Sequence, residues 1–588
     1  MALFEKKKAQ KVTLDDTSRL SCTIEAAQNV QGHTVNVVRV LDFLGLDHQD
    51  YVIRVQRGPL AENSWQINRR YSDFAALNTA LQMGGLDLNL PPKKIFGNME
   101  REFIAERQQG LQVFLNNITS HQLLSLSLIV RKFLDPTNYP ESMNTQEAAL
   151  QHVSMFFRSE PHWEVIEPLR DVGWRFRKTY FLIKPKDQPK EKLVLSWTDF
   201  GPDKTIDDKD LVPIMKLLPT IQHPFVYPVV FATSMENGGL AIRSFYQPGT
   251  LRDAICKTKP NKVHFLKKYC KPKMYAPLPL PAIRTCGRQV LEALKFLHDK
   301  GWFYGQLHAG NVMLEENCCR LLDLENSVLG LPPYYRYFLT QLRKVQTMEQ
   351  VDVYSFGHLV YEMAFGDQLQ TATLEMLPLD CPAELRTFLE SILTVDAVKS
   401  LPSVSDLLAS PLFSNVPVVL PDKPQLKIPS KLKEALKSAK EATEKRLKLD
   451  QGVFNQVRRQ SKAKAHHMSD EEKKKRKKSA RKRLSQQPTG QEEDHNTNHL
   501  PATNGVGSST TSPTSSGAPS PVPPPAPAAP PPPPGPQGGP PPPPPAAGPP
   551  PPMPSSSGER GALLNSICGF SKAGLKKAVT VDKSGPYF

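Results

Sequence analysis

The spacing of apolar residues predicts two folded regions in this chain. Between residues 34 and 56 apolar and polar positions alternate, which is the pattern of a half-buried β-strand. A helix-like stretch and a proline loop come next, and a second helix then has apolar residues at positions i, i+3, i+4 and i+7. This helix face consists of Leu111, Phe114, Leu115 and Ile118. Strands followed by helices are typical of a small α+β domain, which we place at residues 14–136.

The second folded region is larger, and we place it at residues 150–415. Its mixed apolar patterning is that of a packed domain, and one of its helices has a clear apolar face ahead of a loop. That face is formed by Val290, Leu291, Leu294 and Leu297.

After residue 415 the patterning weakens, which predicts a long tail. Residues 416–490 are rich in Lys and Arg and contain one weak helical stretch with a narrow apolar stripe. The stripe consists of Leu432, Leu436, Ala439 and Leu447. Residues 491–554 are rich in Ser and then in Pro, so they cannot bury enough apolar surface to offset their conformational entropy. We predict a disordered basic segment, a low-complexity linker that samples polyproline II, and a short helical motif at residues 555–580.

The charge of the chain is concentrated in this tail. The 588 residues carry a formal charge of +16, of which +14 falls within residues 421–490. The two folded regions are nearly neutral, so we exclude a basic nucleic-acid-binding fold and expect no nucleic-acid partner. The run K-K-K-R-K-K at 473–478 leaves nuclear import open, but such a run is more typical of a solvated tail. It also adds nonspecific attraction to an anionic membrane.

Composition narrows the cellular setting. No apolar stretch is long enough to cross a membrane, and the N-terminus lacks the apolar core of a signal peptide. Eight cysteines without a C-x-x-C pair argue against a disulfide scaffold or a structural zinc site. We therefore expect a cytoplasmic, multidomain protein.

The first region contains a motif suited to a phosphorylated ligand. Residues 69–74 read R-R-Y-S-D-F, and Pro91-Pro92 follow in a loop. An arginine fork binds phosphate through two parallel hydrogen bonds, and an aromatic face packs well against a sugar-like ring. The motif resembles the R-R-[FY]-x-x-F signature of the PX domain, a family that binds phosphoinositides. The alternative is that Arg69 and Arg70 are ordinary solvated surface charges.

The PX resemblance implies a role for each matching residue. The implied ligand is phosphatidylinositol 3-phosphate. The resemblance implies that Arg70 binds the 3-phosphate and that Tyr71 packs against the inositol ring. It further implies that Lys93, or its neighbour Lys94, binds the 1-phosphate and that Arg107 bonds to the 4- and 5-hydroxyls.

The second region resembles a protein kinase. The stretch 286–326 is similar to the middle of that fold, the D-V-Y-S-F-G sequence beginning at Asp352 matches its central helix, and residues 407–413 resemble its closing segment. A bilobal kinase-like fold is therefore expected. Phosphoryl transfer, however, needs specific parts that can be checked one by one.

Several of these parts are missing from the nucleotide-binding half. Only Gly173 stands where a glycine-rich loop is expected. The strand that carries the nucleotide-binding lysine in kinases offers Ser196 and Trp197, and we identify no lysine to replace it. The helix that carries the partner glutamate has an apolar residue near that position, Ile214.

The catalytic loop is also altered. Residues 304–311 read Y-G-Q-L-H-A-G-N, which places the amide of Gln306 where kinases have the aspartate base. An amide cannot accept the substrate proton, and we read His308 as occupying the loop's usual lysine position rather than as a substitute base. The metal-binding pair survives as Asn311 and Asp323, while no A-P-E segment is evident before residue 352. We predict a pseudokinase that requires no cofactor. Asn311 and Asp323 leave weak Mg–ATP binding open, the alternative being that both side chains only cap loop backbone.

The end of the chain resembles the WH2 motif, an amphipathic helix followed by an extended linker. The residues that match are Leu563, Leu564, Ile567, Leu575, Lys576 and Lys577. The resemblance implies binding to an apolar groove on actin, and the alternative is a generic amphipathic helix. The preceding proline runs are typical ligands of SH3, EVH1 and profilin-type domains.

Together these features favour an adaptor. In this hypothesis the PX domain holds a pseudokinase on 3-phosphoinositide membranes, peripherally on endosomes or at the plasma membrane, where it scaffolds or traffics an integral-membrane cargo. The alternative is an active atypical Ser/Thr kinase on endosomal membranes, which Gln306 and the missing lysine argue against.

Overall fold

The computed structural model describes residues 18–30, 48–93, 101–173, 175–260, 262–270, 274–420 and 425–484. The predicted proline-rich linker and WH2-like motif lie outside the described residues. Within the described residues no helix is long and apolar enough to cross a membrane.

The first domain is a three-stranded antiparallel sheet covered by helices, which confirms the predicted α+β class. Its strands lie in the order β1-β2-β3. They span Leu20–Val30 (β1), His48–Arg57 (β2) and Ser64–Arg70 (β3). The helices are Tyr71–Met83 (α1), Arg101–Ser120 (α2), Gln122–Leu126 (α3) and Leu128–Leu134 (α4). The predicted apolar face of α2, from Leu111 to Ile118, is fully buried against this sheet and α1.

A linking helix connects the two domains. Helix α5 spans Thr145–Ser159 and begins at Asn144, whose side-chain oxygen accepts hydrogen bonds from the next backbone amides. Its apolar face packs on the outer face of the second domain's sheet, where His152 stacks on Trp197 at 4.8 Å between ring centroids. The sheet is therefore covered on the side away from the cleft.

The second domain has the predicted two lobes. Its smaller lobe is an antiparallel sheet in the order β4-β5-β6-β8-β7, with one helix between β6 and β7. The strands are Trp163–Pro168 (β4), Lys178–Pro185 (β5), Leu193–Asp199 (β6), Phe231–Ser234 (β7) and Gly238–Ser244 (β8), and the helix is Asp208–Met215 (α6).

The larger lobe is mainly helical and is built around two long helices. Its helices are Leu251–Ile255 (α7), Phe265–Cys270 (α8), Leu280–Asp299 (α9), Glu325–Val328 (α10), Arg336–Leu339 (α11), Met348–Phe365 (α12), Ala383–Leu393 (α13) and Val404–Ala409 (α14). Two short strands, Val312–Glu315 (β9) and Cys318–Leu321 (β10), pair beside the cleft. The predicted apolar face of α9 is buried, and α12 lies at the centre of the lobe.

Helix α12 also holds the loop that precedes the cleft. The Oδ1 atom of Asp352 accepts a hydrogen bond from the backbone amide of Gly305 at 2.7 Å, and its Oδ2 lies 2.8 Å from Nε2 of His298. These two contacts of Asp352 hold the altered catalytic loop against the core. The D-V-Y-S-F-G sequence begins with this aspartate, so the motif that predicted the fold also stabilises it.

The prediction of a disordered segment over residues 416–490 is wrong for most of its length. Residues Ser430–Leu484 form one helix (α15) of 55 residues. The narrow apolar stripe from Leu432 to Leu447 is buried against the kinase-like domain. The stripe is narrow because the helix contacts the domain along one side only. Its stability comes from this contact rather than from the composition of the segment.

Candidate lipid pocket and kinase-like cleft

The residues predicted to bind lipid lie near the point where β3 ends and α1 begins. Arg70 is the residue before α1, and its backbone amide donates to the carboxylate of Asp73 at 2.9 Å. This hydrogen bond to the third helical residue fixes the direction in which Tyr71, the first helical residue, leaves the sheet. The motif therefore positions both side chains at one corner of the domain.

The proline loop is tied to the same corner. The hydroxyl of Tyr71 donates to the carbonyl oxygen of Pro91 at 2.6 Å. On its other side the Pro91 ring lies against α2 at Gly110, where an added Cβ would stand 2.4 Å from the ring. Lys93 follows two residues later and is exposed, while Lys94 lies outside the described residues. The loop therefore carries an exposed lysine two residues after its contact with Tyr71.

Arg107 reaches the same corner from α2. Its guanidinium carbon lies 4.8 Å from the centroid of the Tyr71 ring and 4.2 Å from that of Phe103. The side chain is buried, and its Nε atom has no hydrogen-bond partner among the described residues. Burial raises the pKa of Tyr71, an effect that the positive charge of Arg107 partly opposes. A buried cation with an unused donor suits an oxygen-rich ligand.

The two arginines of the motif have different surroundings. The Nε atom of Arg70 lies 3.6 Å from a carboxylate oxygen of Asp50, and about a quarter of its side chain is exposed. Arg69 instead donates from Nε to the carbonyl oxygen of Phe133 at 2.9 Å and packs on that ring. Arg69 therefore anchors α4, while Arg70 lies beside Asp50 and stays partly exposed.

The cleft of the kinase-like domain holds a lysine after all. The sequence prediction found no lysine for this cleft, and the structure corrects that reading. Lys178, the first residue of β5, lies opposite Thr198 of β6 and points into the cleft. Its Nζ atom lies 2.8 Å from Oδ2 of Asp323 and 3.2 Å from Oε1 of Glu325.

Arg243 from β8 completes this arrangement. Its Nη2 atom lies 2.5 Å from Oε2 of Glu325, and its Nη1 lies 3.7 Å from Oδ1 of Asp323. Burial disfavours the charged form of Arg243, but the two carboxylates outweigh that effect and raise its pKa. Burial would likewise raise the pKa of Glu325, but Arg243 and Lys178 lower it to about 2. We call Lys178, Arg243, Asp323 and Glu325 the cleft cluster.

The donor set of the cleft does not fit a magnesium ion. Both carboxylates of the cleft cluster face cationic side chains, so a metal at Asp323 would stand beside two positive charges. The amide of Asn311 donates to the carbonyl oxygen of Gln306 at 3.1 Å, a backbone-capping contact. No group of three or more His, Cys, Asp or Glu side chains in the described part of the chain is arranged to hold a metal.

The altered catalytic loop is buried and neutral. Gln306 donates from Nε2 to the carbonyl oxygen of Pro332 at 2.6 Å. The ring of His308 stacks on Tyr334 with centroids 4.0 Å apart, and burial lowers the pKa of this histidine to about 3. Such a group is a poor proton acceptor, which supports the structural reading of His308. Ile214 is fully buried in α6, so the position predicted to lack the partner glutamate is apolar.

Sequence analysis did not predict three members of the cleft cluster, Lys178, Arg243 and Glu325. Of these, Glu325 could have been found from the sequence, because D-L-E replaces the usual D-F-G and puts a carboxylate where a glycine is expected. A buried carboxylate requires cations, but the sequence does not say which strands supply them. The strands that supply these cations are set by the register between β5, β6 and β8.

Comparisons with known proteins agree with these features. The PX domain family profile matches residues 60–137, and the WH2 motif profile matches residues 556–585, outside the described part. The PX domain-containing protein kinase-like protein of Mus musculus is 56% identical over 467 residues, covering 79% of this chain and 77% of the mouse protein. These matches confirm the predicted PX, kinase-like and WH2 regions.

More distant relatives resemble parts of the chain. The Slowpoke-binding protein of Drosophila melanogaster is 33% identical over 254 residues, covering 41% of this chain and 48% of that protein. The probable inactive serine/threonine-protein kinase slob1 of Dictyostelium discoideum is 27% identical over 285 residues, covering 44% of this chain and 48% of that protein.

Proposed function

This chain belongs to the family of PX domain-containing protein kinase-like proteins, and on that premise we propose that it is a phosphoinositide-anchored pseudokinase adaptor. Its PX domain binds phosphatidylinositol 3-phosphate in membranes, and its kinase-like domain serves as a binding scaffold without phosphoryl transfer. The protein acts peripherally at endosomal membranes or at the plasma membrane.

One observation carries the lipid-binding part of the proposal. Arg107 is a buried cation between two aromatic rings, and its Nε atom has no partner among the described residues. Leaving such a donor unused is costly in a folded protein, so a ligand with hydroxyl or phosphate oxygens is its natural complement. Arg70 beside the same tyrosine supplies the fork for a phosphate, and Lys93 supplies a further cation at the rim.

The lipid proposal is tested by exchanging Arg70 for Gln in the full chain. We expect the variant to lose sedimentation with liposomes that contain phosphatidylinositol 3-phosphate, because a charge-assisted bidentate contact is worth about 3 kcal/mol, roughly a hundredfold in affinity. The matched control is Arg54→Gln on β2, where the arginine side chain is 43% exposed and faces Glu25. If Arg70→Gln sediments like the control, Arg70 does not hold the phosphate.

The pseudokinase part of the proposal is supported by the cleft chemistry. The amide at Gln306 cannot take up a proton, and His308 is buried with a pKa of about 3. Lys178 is held by Asp323 and Glu325 rather than directed at a phosphate. The relative named a probable inactive kinase agrees with this assignment.

For partners we propose an integral-membrane protein and actin. One relative is named for binding Slowpoke, which supports a protein partner for the kinase-like domain. The WH2 match supports actin binding, with Leu563, Leu564 and Ile567 in the apolar groove and Leu575, Lys576 and Lys577 in the extended linker. The proline runs ahead of this motif are suited to SH3, EVH1 or profilin-type domains.

A further inference from the structure

The cleft cluster joins the two lobes of the kinase-like domain. Lys178 and Arg243 come from the five-stranded sheet, whereas Asp323 and Glu325 come from the segment that follows β10 in the helical lobe. The side chains are almost completely buried, with exposures of 0% for Lys178, 8% for Arg243, 7% for Asp323 and 1% for Glu325. Two positive and two negative charges therefore balance inside the cleft.

This balance leaves no place for a metal–phosphate group. In a kinase the carboxylate at the position of Asp323 coordinates magnesium and the lysine contacts the nucleotide phosphates. Here those two groups lie 2.8 Å apart and satisfy each other. Inserting a metal between them would separate Lys178 and Arg243 from their carboxylates, and unpaired buried charges are strongly unfavourable.

The loop above the cleft is also held down. Lys268 of α8 donates from Nζ to the carbonyl oxygens of Asp171 at 3.1 Å and Pro260 at 2.9 Å. Asp171 belongs to the loop between β4 and β5, where kinases carry the flexible phosphate-binding loop. A Cβ at Gly173 in the same loop would stand 2.7 Å from the Tyr180 ring. That ring therefore fills the space beneath the loop.

The PX domain contacts the end of this loop through one side chain. The guanidinium carbon of Arg131, on α4, lies 5.7 Å from the ring centroid of Phe176, which precedes β5. The same arginine donates to the hydroxyl of Tyr139 at 2.8 Å, which fixes its position. The loop is thus fastened to α8 on one side and contacted by α4 on the other.

We infer that the kinase-like domain binds no nucleotide, and that the cleft cluster takes the place of a magnesium–nucleotide in joining its two lobes. The inference rests on the proposed inactivity of this domain and extends it, because an inactive kinase fold can still bind ATP. We therefore expect the two lobes of the domain to stay joined whether or not a nucleotide is present.

The first test uses the full-length wild-type chain and does not depend on any variant folding. Thermal unfolding and equilibrium dialysis are measured with millimolar Mg–ATP and Mg–ADP, and with EDTA in place of magnesium. We expect an unchanged unfolding midpoint and no retained nucleotide, since a ligand that binds only the folded state must raise the midpoint. A saturable, magnesium-dependent rise with retained nucleotide would overturn the inference.

The second test measures whether the cluster acts as a unit. Arg243→Met and Glu325→Gln each remove one charge from the balanced buried cluster, so each should lower the unfolding midpoint by on the order of 10 °C. The double variant removes both partners and should fall by clearly less than the sum. Lys399→Met is the control, because its ion pair with Asp396 is exposed and should change the midpoint little. Additive effects would show that Arg243 and Glu325 do not stabilise each other.

A phosphoryl-transfer assay on the same wild-type sample separates the two levels of the proposal. Nucleotide binding without transfer refutes this inference and leaves the pseudokinase adaptor standing. Magnesium-dependent transfer refutes both.

Discussion

Two histidines show what burial does to single side chains in the kinase-like domain. His308 stacks on Tyr334, and His358 of α12 lies 4.3 Å from the Tyr335 ring and 5.6 Å from that of Phe338, measured between centroids. The Nε2 atom of His358 has no hydrogen-bond partner among the described residues. Burial lowers the pKa of each histidine to about 3, from an ordinary value of 6.5. Both rings therefore act as neutral packing groups.

This burial makes stability depend on pH. Below pH 6.5 these histidines take up protons in the unfolded chain but not in the folded chain. Their contribution to the free energy of unfolding is therefore complete above pH 6.5 and is lost as the pH falls towards 3. Between about pH 7 and about pH 5, each of the two histidines should lower the free energy of unfolding by roughly 2 kcal/mol. We expect His358→Phe, which keeps an aromatic ring, to reduce the acid-induced fall of the unfolding midpoint by about 4–8 °C.

The control for His358 is the exposed His162. Its side chain is 71% exposed, so His162→Phe makes the same substitution at a ring that folding does not bury, and it serves as the reference variant. Differential scanning fluorimetry across this pH range provides the comparison. Equal pH dependence in His358→Phe and wild type would contradict the assignment of a buried neutral histidine.

At the residue scale, local motifs were predictable and cross-strand contacts were not. Arg70 and Tyr71 are adjacent in one motif, and the structure places them with Arg107 and the proline loop at one corner. Lys178 has no neighbouring signature, because its partners are about 145 residues away and depend on strand register. In kinases the lysine is carried by the strand that corresponds to β6, whereas the cleft lysine of this chain is on the preceding strand, β5.

Helix α15 shows at the element scale how polar side chains stabilise an element with a weak apolar pattern. The Nε2 atom of Gln451 donates to the carbonyl oxygens of three residues, Leu339 at 3.0 Å, Leu342 at 2.8 Å and Val345 at 2.8 Å. Asp450 pairs with Arg336 of α11 in the same region. Such contacts cannot be predicted from a narrow apolar stripe, so the composition of the segment suggested disorder where the fold provides a docking site.

We expect Gln451→Ala to loosen this helix. The substitution removes a donor group shared by three buried carbonyls, two of which keep a backbone donor, so it should cost about 2 kcal/mol and lower the unfolding midpoint by about 4–8 °C. Limited trypsin digestion should then cut the basic part of α15 sooner. Gln456→Ala is the matched control, because Gln456 is exposed on the same helix. A midpoint and digestion rate equal to those of the control would show that the three hydrogen bonds do not hold α15 in place.

On the scale of the whole molecule, the PX and kinase-like domains form one continuous apolar core. Helix α3 packs on α8, Arg131 of α4 meets Phe176, and Arg19 bonds to Tyr337 of the helical lobe. The sequence predicted each domain separately because each carries a signature motif. It gave no sign that they pack together, because the residues at the contact match neither motif.

The charge of the chain is distributed unevenly, which bears on the proposed membrane binding. The PX and kinase-like domains are nearly neutral, while residues 421–490 carry +14, much of it on α15. Attraction between a basic segment and anionic lipid is worth about 1 kcal/mol per nearby Lys or Arg and is screened over roughly 8–10 Å at physiological salt. We therefore expect α15 to strengthen membrane binding without determining which lipid is chosen.

Replacing the six basic residues at 473–478 by Gln in the full chain separates charge from lipid recognition. Binding to anionic liposomes containing phosphatidylinositol 3-phosphate should become weaker at low salt and should lose much of its salt dependence, because fewer cations then contribute to the attraction. Arg70→Gln should instead abolish the preference for that lipid at every salt concentration, because its contact is a specific fork rather than a diffuse field. Identical salt dependence in wild type and the Gln-replaced chain would remove α15 from the account of membrane binding.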